Sequence, residues 1–142
     1  MKKDSEFKGL AHISIFCRDL EKSIRFYTEN LDFETTYRTV VNPDQEPDGF
    51  FPAQYVLIQR GTCLIELLQP YDTGNVKVGI KGSVDHFAIE VKDVERVFTR
   101  LKARGLINEA DKMAFFPDLF NGMKSFLLRG PSGELVELLE YL

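Results

Sequence analysis

The sequence predicts an α+β fold in which one β-α-β-β-β unit occurs twice in tandem. Three observations carry this expectation. AHISIFCRDLEKSI (11–24) and DHFAIEVKDVERVF (85–98) align without a gap, so that His12 meets His86 and Arg18-Asp19 meets Lys92-Asp93. TCLIELL (62–68) matches GELVELL (133–139), and Glu66 meets Glu137. Within each half the apolar pattern moves from period two to helical spacing and back to period two.

The first strand of each half, about 10–17 and about 84–91, alternates apolar and polar residues. Asp19 and Asp93 then stand where an N-cap is needed, since a carboxylate can accept from the free amides of a first helical turn. The helices repeat apolar residues at Leu20, Ile24, Tyr27 and Leu31, and at Val94, Val97, Phe98 and Leu101. Asn30 and Gly105 are suitable stops. Three strands follow in each half, near 33–41, 54–60 and 62–69, and near 107–115, 123–129 and 133–141. YVLIQRG (55–61) resembles KSFLLRG (124–130), and FFP occurs at 50–52 and 115–117. Residues 7–70 form the first module and 83–142 the second, with 71–82 as a glycine-containing linker.

Composition excludes several classes of function. Apolar residues make up 44% and charged residues 28%, which suits a folded domain rather than a disordered chain. A net charge of −4 with no Lys/Arg cluster gives no footprint for a nucleic acid. No apolar run has the length of a membrane span, and Lys2-Lys3 precede no apolar leader core. Cys17 and Cys63 are isolated in strand-like runs without a CxxC, as in buried thiols of a reducing compartment. The expected location is the cytoplasm.

Alternation decides which side chains can meet. His12, Ser14 and Phe16 oppose Ile13, Ile15 and Cys17; His86, Ala88 and Glu90 oppose Phe87, Ile89 and Val91. Glu66 and Glu137 oppose their apolar neighbours likewise. The apolar sets seat the helices, so both histidines and both glutamates fall on the uncovered face. These are the chain's 2 histidines. A carboxylate amid an apolar strand is costly to bury unless a partner holds it. Two imidazoles and two carboxylates from equivalent repeat positions predict a divalent transition-metal site, His12, Glu66, His86 and Glu137. Zn, Ni or Co suit that donor set, and Fe or Mn are compatible with it. Phe16, with Phe51 and Phe116 of the two FFP stretches, is expected to line the pocket of a small-molecule substrate.

With these motifs in hand, the chain resembles the vicinal oxygen chelate superfamily of glyoxalase, bleomycin-resistance and dioxygenase proteins. The resemblance rests on GLAHISIFCRDLEKSIRFYTENLDFE, CLIELLQP, VDHFAIEVKDVERV and RGPSGELVELLEYL. It implies a cup-shaped mixed sheet around the metal and a homodimer. The His-Glu-His-Glu order is most similar to bacterial glyoxalase I, lactoylglutathione lyase. That similarity implies a metal-dependent lyase or isomerase that moves a proton next to a carbonyl through a metal-stabilised enediolate, on a hemithioacetal. Glu137 would be the base and Glu66 the second carboxylate. The branch's glutathione-gripping positions correspond here to Phe16 and Pro70, which offer no such grip. Two alternatives stand beside this: a non-catalytic drug-binding protein of the bleomycin-resistance type, and an epimerase similar to methylmalonyl-CoA epimerase, whose IELL-x-P stretch resembles IELLQP.

Overall fold

The computed structural model describes residues 5–6, 8–41, 52–71 and 84–142. The element order is β1 (Ile13–Phe16), α1 (Leu20–Asn30), β2 (Glu34–Val41), β3 (Ala53–Arg60), β4 (Cys63–Pro70), β5 (Phe87–Glu90), α2 (Val94–Ala103), β6 (Ala114–Phe116), β7 (Met123–Arg129) and β8 (Leu135–Tyr141). Each half is the expected β-α-β-β-β unit. Its strands form a four-stranded mixed sheet, ordered β1-β4-β3-β2 in the first half and β5-β8-β7-β6 in the second. β1 runs parallel to β4 and β5 parallel to β8, and each helix carries the chain from the first strand across to the opposite edge of its sheet.

The helices start as expected. Asp19 accepts from the Lys22 amide at 3.1 Å and Asp93 from the Arg96 amide at 3.0 Å. A second tie repeats as well: the Leu20 amide donates to Gln69 Oε1 at 2.7 Å, and the Val94 amide to Glu140 Oε1 at 3.0 Å. The last strand of each module thus holds the first turn of its helix. At the far ends, Gly105 takes the left-handed conformation (φ +74) that favours glycine, whereas after α1 it is Asp32, not Asn30, that turns the chain (φ 59). Asn30 closes α1 differently, donating from Nδ2 to the Phe26 carbonyl at 3.0 Å.

The expected strand at 107–115 shrinks to β6, three residues long. Asp111 explains the difference. It is buried, its amide bonds back to the Asn108 carbonyl at 2.9 Å, and Arg129 forks onto its carboxylate at 2.9 and 3.2 Å. A buried ion-paired Asp in a tight turn cannot belong to a regular ladder. Arg60, the repeat counterpart of Arg129, donates from Nη1 to the Asp32 carbonyl at 3.3 Å. Both arginines therefore anchor the turn after a helix.

One core lies under each helix. The first gathers Ile15, Leu20, Tyr27, Val56, Ile58, Ile65 and Leu67; the second Val94, Leu101, Phe126, Leu128, Val136 and Leu138. Each fully buried aliphatic or Phe side chain contributes about 1.5–3 kcal/mol. Phe26, Leu31, Phe87 and Ile89 pack against both cores and join the modules. Polar ties cross the same junction. Tyr27 Oη donates to Glu134 Oε2 at 2.9 Å, and Arg104 Nη1 to Asn30 Oδ1 at 2.8 Å. Cys17 is buried and Cys63 half-buried, both as thiols, and burial pushes both up from the ordinary cysteine value. No helix among the described residues is long and apolar enough to cross a membrane.

Candidate metal centre

Register lays out the face the helices leave open. In the first sheet a row runs across the strands through Ser14, Glu66, Leu57 and Tyr37. In the second, the matching row is Ala88, Glu137 and Leu127. His12 and His86 each stand two residues before the row, just ahead of the short first strand of their module. Both histidines are exposed and both glutamates half-buried, so all four side chains reach the open face while Ile65, Leu67, Val136 and Leu138 fill the core.

In the second module the pair meets. His86 Nε2 lies 3.5 Å from Glu137 Oε1, and His86 Nδ1 lies 2.8 Å from Asp85 Oδ2. A carboxylate on one ring nitrogen orients the imidazole and directs the lone pair of the other, the arrangement that metal-ligating histidines favour. In the first module the contact is different. Ser14 Oγ donates to Glu66 Oε1 at 3.0 Å, and no ion pair joins His12 to Glu66. Among the described residues, no three His, Cys, Asp or Glu side chains of one chain are grouped to hold a metal ion. Each sheet thus presents one histidine and one glutamate on its open face.

The expected pocket residues take clear positions where they are described. Phe16 is the exposed last residue of β1, on the face of Ser14. Phe116 ends edge strand β6 opposite Met123, which pairs in turn with Tyr141, so alternation puts it on the face of Glu137. Phe51 lies outside the described residues. Glu90 shares the face of His86 but pairs with Leu139, one step beyond the row. Two site contacts escaped the sequence reading: Asp85 beside His86 and Ser14 on Glu66. The repeat alignment carried a signal for both, because it sets Asp85 against Ala11 and Ser14 against Ala88.

Residues 9–138 match the family model described as Glyoxalase/Bleomycin resistance protein/Dioxygenase superfamily. The chain belongs to this superfamily. One relative is the uncharacterized protein YwbC of Bacillus subtilis (strain 168), 25% identical over 134 residues that cover 94% of this chain and 98% of YwbC. Among solved structures, the trypanothione-dependent glyoxalase I of Leishmania major superposes with a TM-score of 0.67 at 22% identity, covering 94% of this chain and 87% of that one. FosX, a fosfomycin resistance protein of Listeria monocytogenes complexed with Mn(II), superposes with a TM-score of 0.64 at 18% identity, covering 93% and 91%. This chain shares the fold of a glyoxalase I and of a fosfomycin resistance protein solved with Mn(II).

Proposed function

We propose that the chain is a metal-dependent lyase or isomerase of the glyoxalase type, with His12, Glu66, His86 and Glu137 as protein ligands. The observation that carries this reading is the duplicated pair: one imidazole and one carboxylate at equivalent places on the open face of each sheet. The donor set fits a transition ion, with two neutral nitrogens and two anionic oxygens, and Asp85 orients one of the imidazoles. Because each sheet offers one pair, we propose that the site closes across a homodimer, the first module of one chain facing the second of its partner. Exposed apolar residues on the second module, Phe116, Leu119, Phe120, Tyr141 and Leu142, support self-association. The free thiols suit the cytoplasm as the proposed setting.

A bound divalent ion supplies a Lewis acid that lowers the cost of negative charge on a substrate oxygen. The rest is the work of this chain. Glu137, unencumbered by a hydroxyl partner, removes the proton from the carbon next to the carbonyl. That proton returns to the neighbouring carbon while the hydroxyl proton passes to the former carbonyl oxygen, completing an isomerisation in which no atom is lost, with Glu66 as the second carboxylate able to relay a proton. Phe16 and Phe116 offer apolar walls on the two sheets. The substrate class is a small α-hydroxycarbonyl such as a hemithioacetal. Phe16 and Pro70 cannot grip a glutathione carboxylate, and the Leishmania relative is trypanothione-dependent, so the thiol is left to a panel.

The test is metal content and turnover together. Protein purified without added metal should carry about one transition ion per chain, lost in Glu66→Ala. Hemithioacetals of several thiols should be turned over by wild type, and Glu137→Gln should lower the rate by about 10²–10⁴-fold. Metal uptake without any turnover would favour another reaction of the superfamily; no metal uptake with Zn, Ni, Co, Fe or Mn would sink the proposal.

A further inference from the structure

On the opposite side of β5 from His86 lies a cleft of about 460 Å³ where the two modules meet. Its floor is apolar: Leu31 from the end of α1, Ile89 and Val91 from β5, Val97 from α2 and Leu138 from β8. Its rim is charged. Arg60 reaches it from the first module, and Lys92, Arg96 and Arg100 from the second, against Asp32, Glu90 and Asp93.

None of these acids forms an ion pair with the rim cations among the described residues, and Asp93 Oδ1 accepts from the Arg96 amide as helix cap. The ion pairs of lysine and arginine among the described residues are Arg38–Glu21, Lys124–Glu95 and Arg129–Asp111. Lys92, Arg96 and Arg100 therefore line the cleft without an acid partner among the described residues. Arg96 and Arg100 stand one turn apart on α2, so two guanidinium forks rise from one helix face. The N-terminal end of α2, whose dipole end is positive, opens at the same rim, its amides already held by Asp93 and Glu140.

We infer that this cleft is a second binding site, for a small organic anion that has an apolar body and a phosphate or carboxylate head. The volume suits a small molecule rather than a bare ion. An apolar floor offers no contact to inorganic phosphate, and the guanidinium forks match the paired oxygens of a phosphate or carboxylate. The site is separate from the proposed metal centre: Ile89 and Leu138 turn their side chains to the cleft, while their neighbours Ala88 and Glu137 face the other way.

The full-length protein can be titrated calorimetrically with 1-naphthyl phosphate, with 1-naphthol and inorganic phosphate as half-ligands. The naphthyl phosphate should bind saturably, one per chain. Each half-ligand should bind at least about tenfold more weakly, since either the forks or the floor goes unused. Arg96→Ala/Arg100→Ala, two exposed positions outside both cores, should weaken naphthyl phosphate by about tenfold or more, and Arg96→Lys/Arg100→Lys by less. Glu66→Ala/Glu137→Ala should leave this binding unchanged. The inference is overturned by no saturable binding, by full affinity in the double alanine variant, by 1-naphthol binding equally well, or by loss in the glutamate variant. The last result would put the ligand on the open face and leave the metal proposal standing.

Discussion

Ser14 donates its hydroxyl to Glu66 at 3.0 Å, whereas the matching place beside Glu137 holds the methyl group of Ala88. The two glutamates are equivalent in the repeat and unequal in surroundings. One carboxylate oxygen of Glu66 is tied, which would orient the side chain in the proposed ligand role. Among the described residues, the polar side chain recorded beside Glu137 is His86 at 3.5 Å, which would leave Glu137 the freedom that the proposed proton-carrying role needs. The difference is one atom group per module, and it would divide the proposed roles.

Ser14→Ala is accordingly expected to weaken metal binding by about tenfold, the lower end of the range for lost partners of metal ligands. Ser14→Thr keeps a hydroxyl and should keep the affinity. Competition with a chromogenic chelator reads both. Equal affinity in Ser14→Ala would mean that the hydrogen bond does not position Glu66 for the metal.

Alkaline stability follows from the junction between modules. Burial, with the neighbouring Glu134 carboxylate, pushes the Tyr27 phenol well above the ordinary 10.0, and burial raises Cys17 above 9.0. The folded state holds these protons more tightly than the unfolded chain. Their contribution is complete below the ordinary values and is lost as pH climbs through and beyond them. Urea unfolding should therefore show stability falling from about pH 9 upward, with Tyr27 adding to the loss above about 10. Tyr27→Phe should start about 1 kcal/mol lower at neutral pH, for the lost bond to Glu134, and decline less steeply above pH 10. A parallel decline in both proteins would show that Tyr27 is not the group responsible.

The caps offer a simpler check on the duplicated architecture. Asp93→Ala should cost about 1 kcal/mol in urea unfolding, and Asp19→Ala a similar amount, since each carboxylate holds the same amide of its helix. A negligible effect in both would mean that the Gln69 and Glu140 ties carry the helix starts alone.

Much of this was legible in the chain because the governing patterns are local. Asp19 and Asp93 announced the helices, and period-two alternation put His12, Glu66, His86 and Glu137 on the uncovered face before any strand partner was known. What was not legible depends on partners far away. The turn at 106–113 reads as half a strand until Arg129 is seen to hold Asp111. Ser14 becomes a partner of Glu66 only through the parallel register of β1 on β4, which joins residues 52 positions apart. The cleft between modules needs Arg60 of one half beside Arg96 of the other, and no local pattern sets that distance.

Subunit complementation tests most directly whether the proposed metal site is shared between chains. A heterodimer is assembled from one chain carrying His12→Ala/Glu66→Ala and one carrying His86→Ala/Glu137→Ala, purified by two different tags. Each variant alone should bind no transition metal. The heterodimer should bind one ion per dimer, because an intact first module then faces an intact second module once. A heterodimer as empty as its parents, with two ions in the wild-type dimer, would contradict the account and place each site within a single chain.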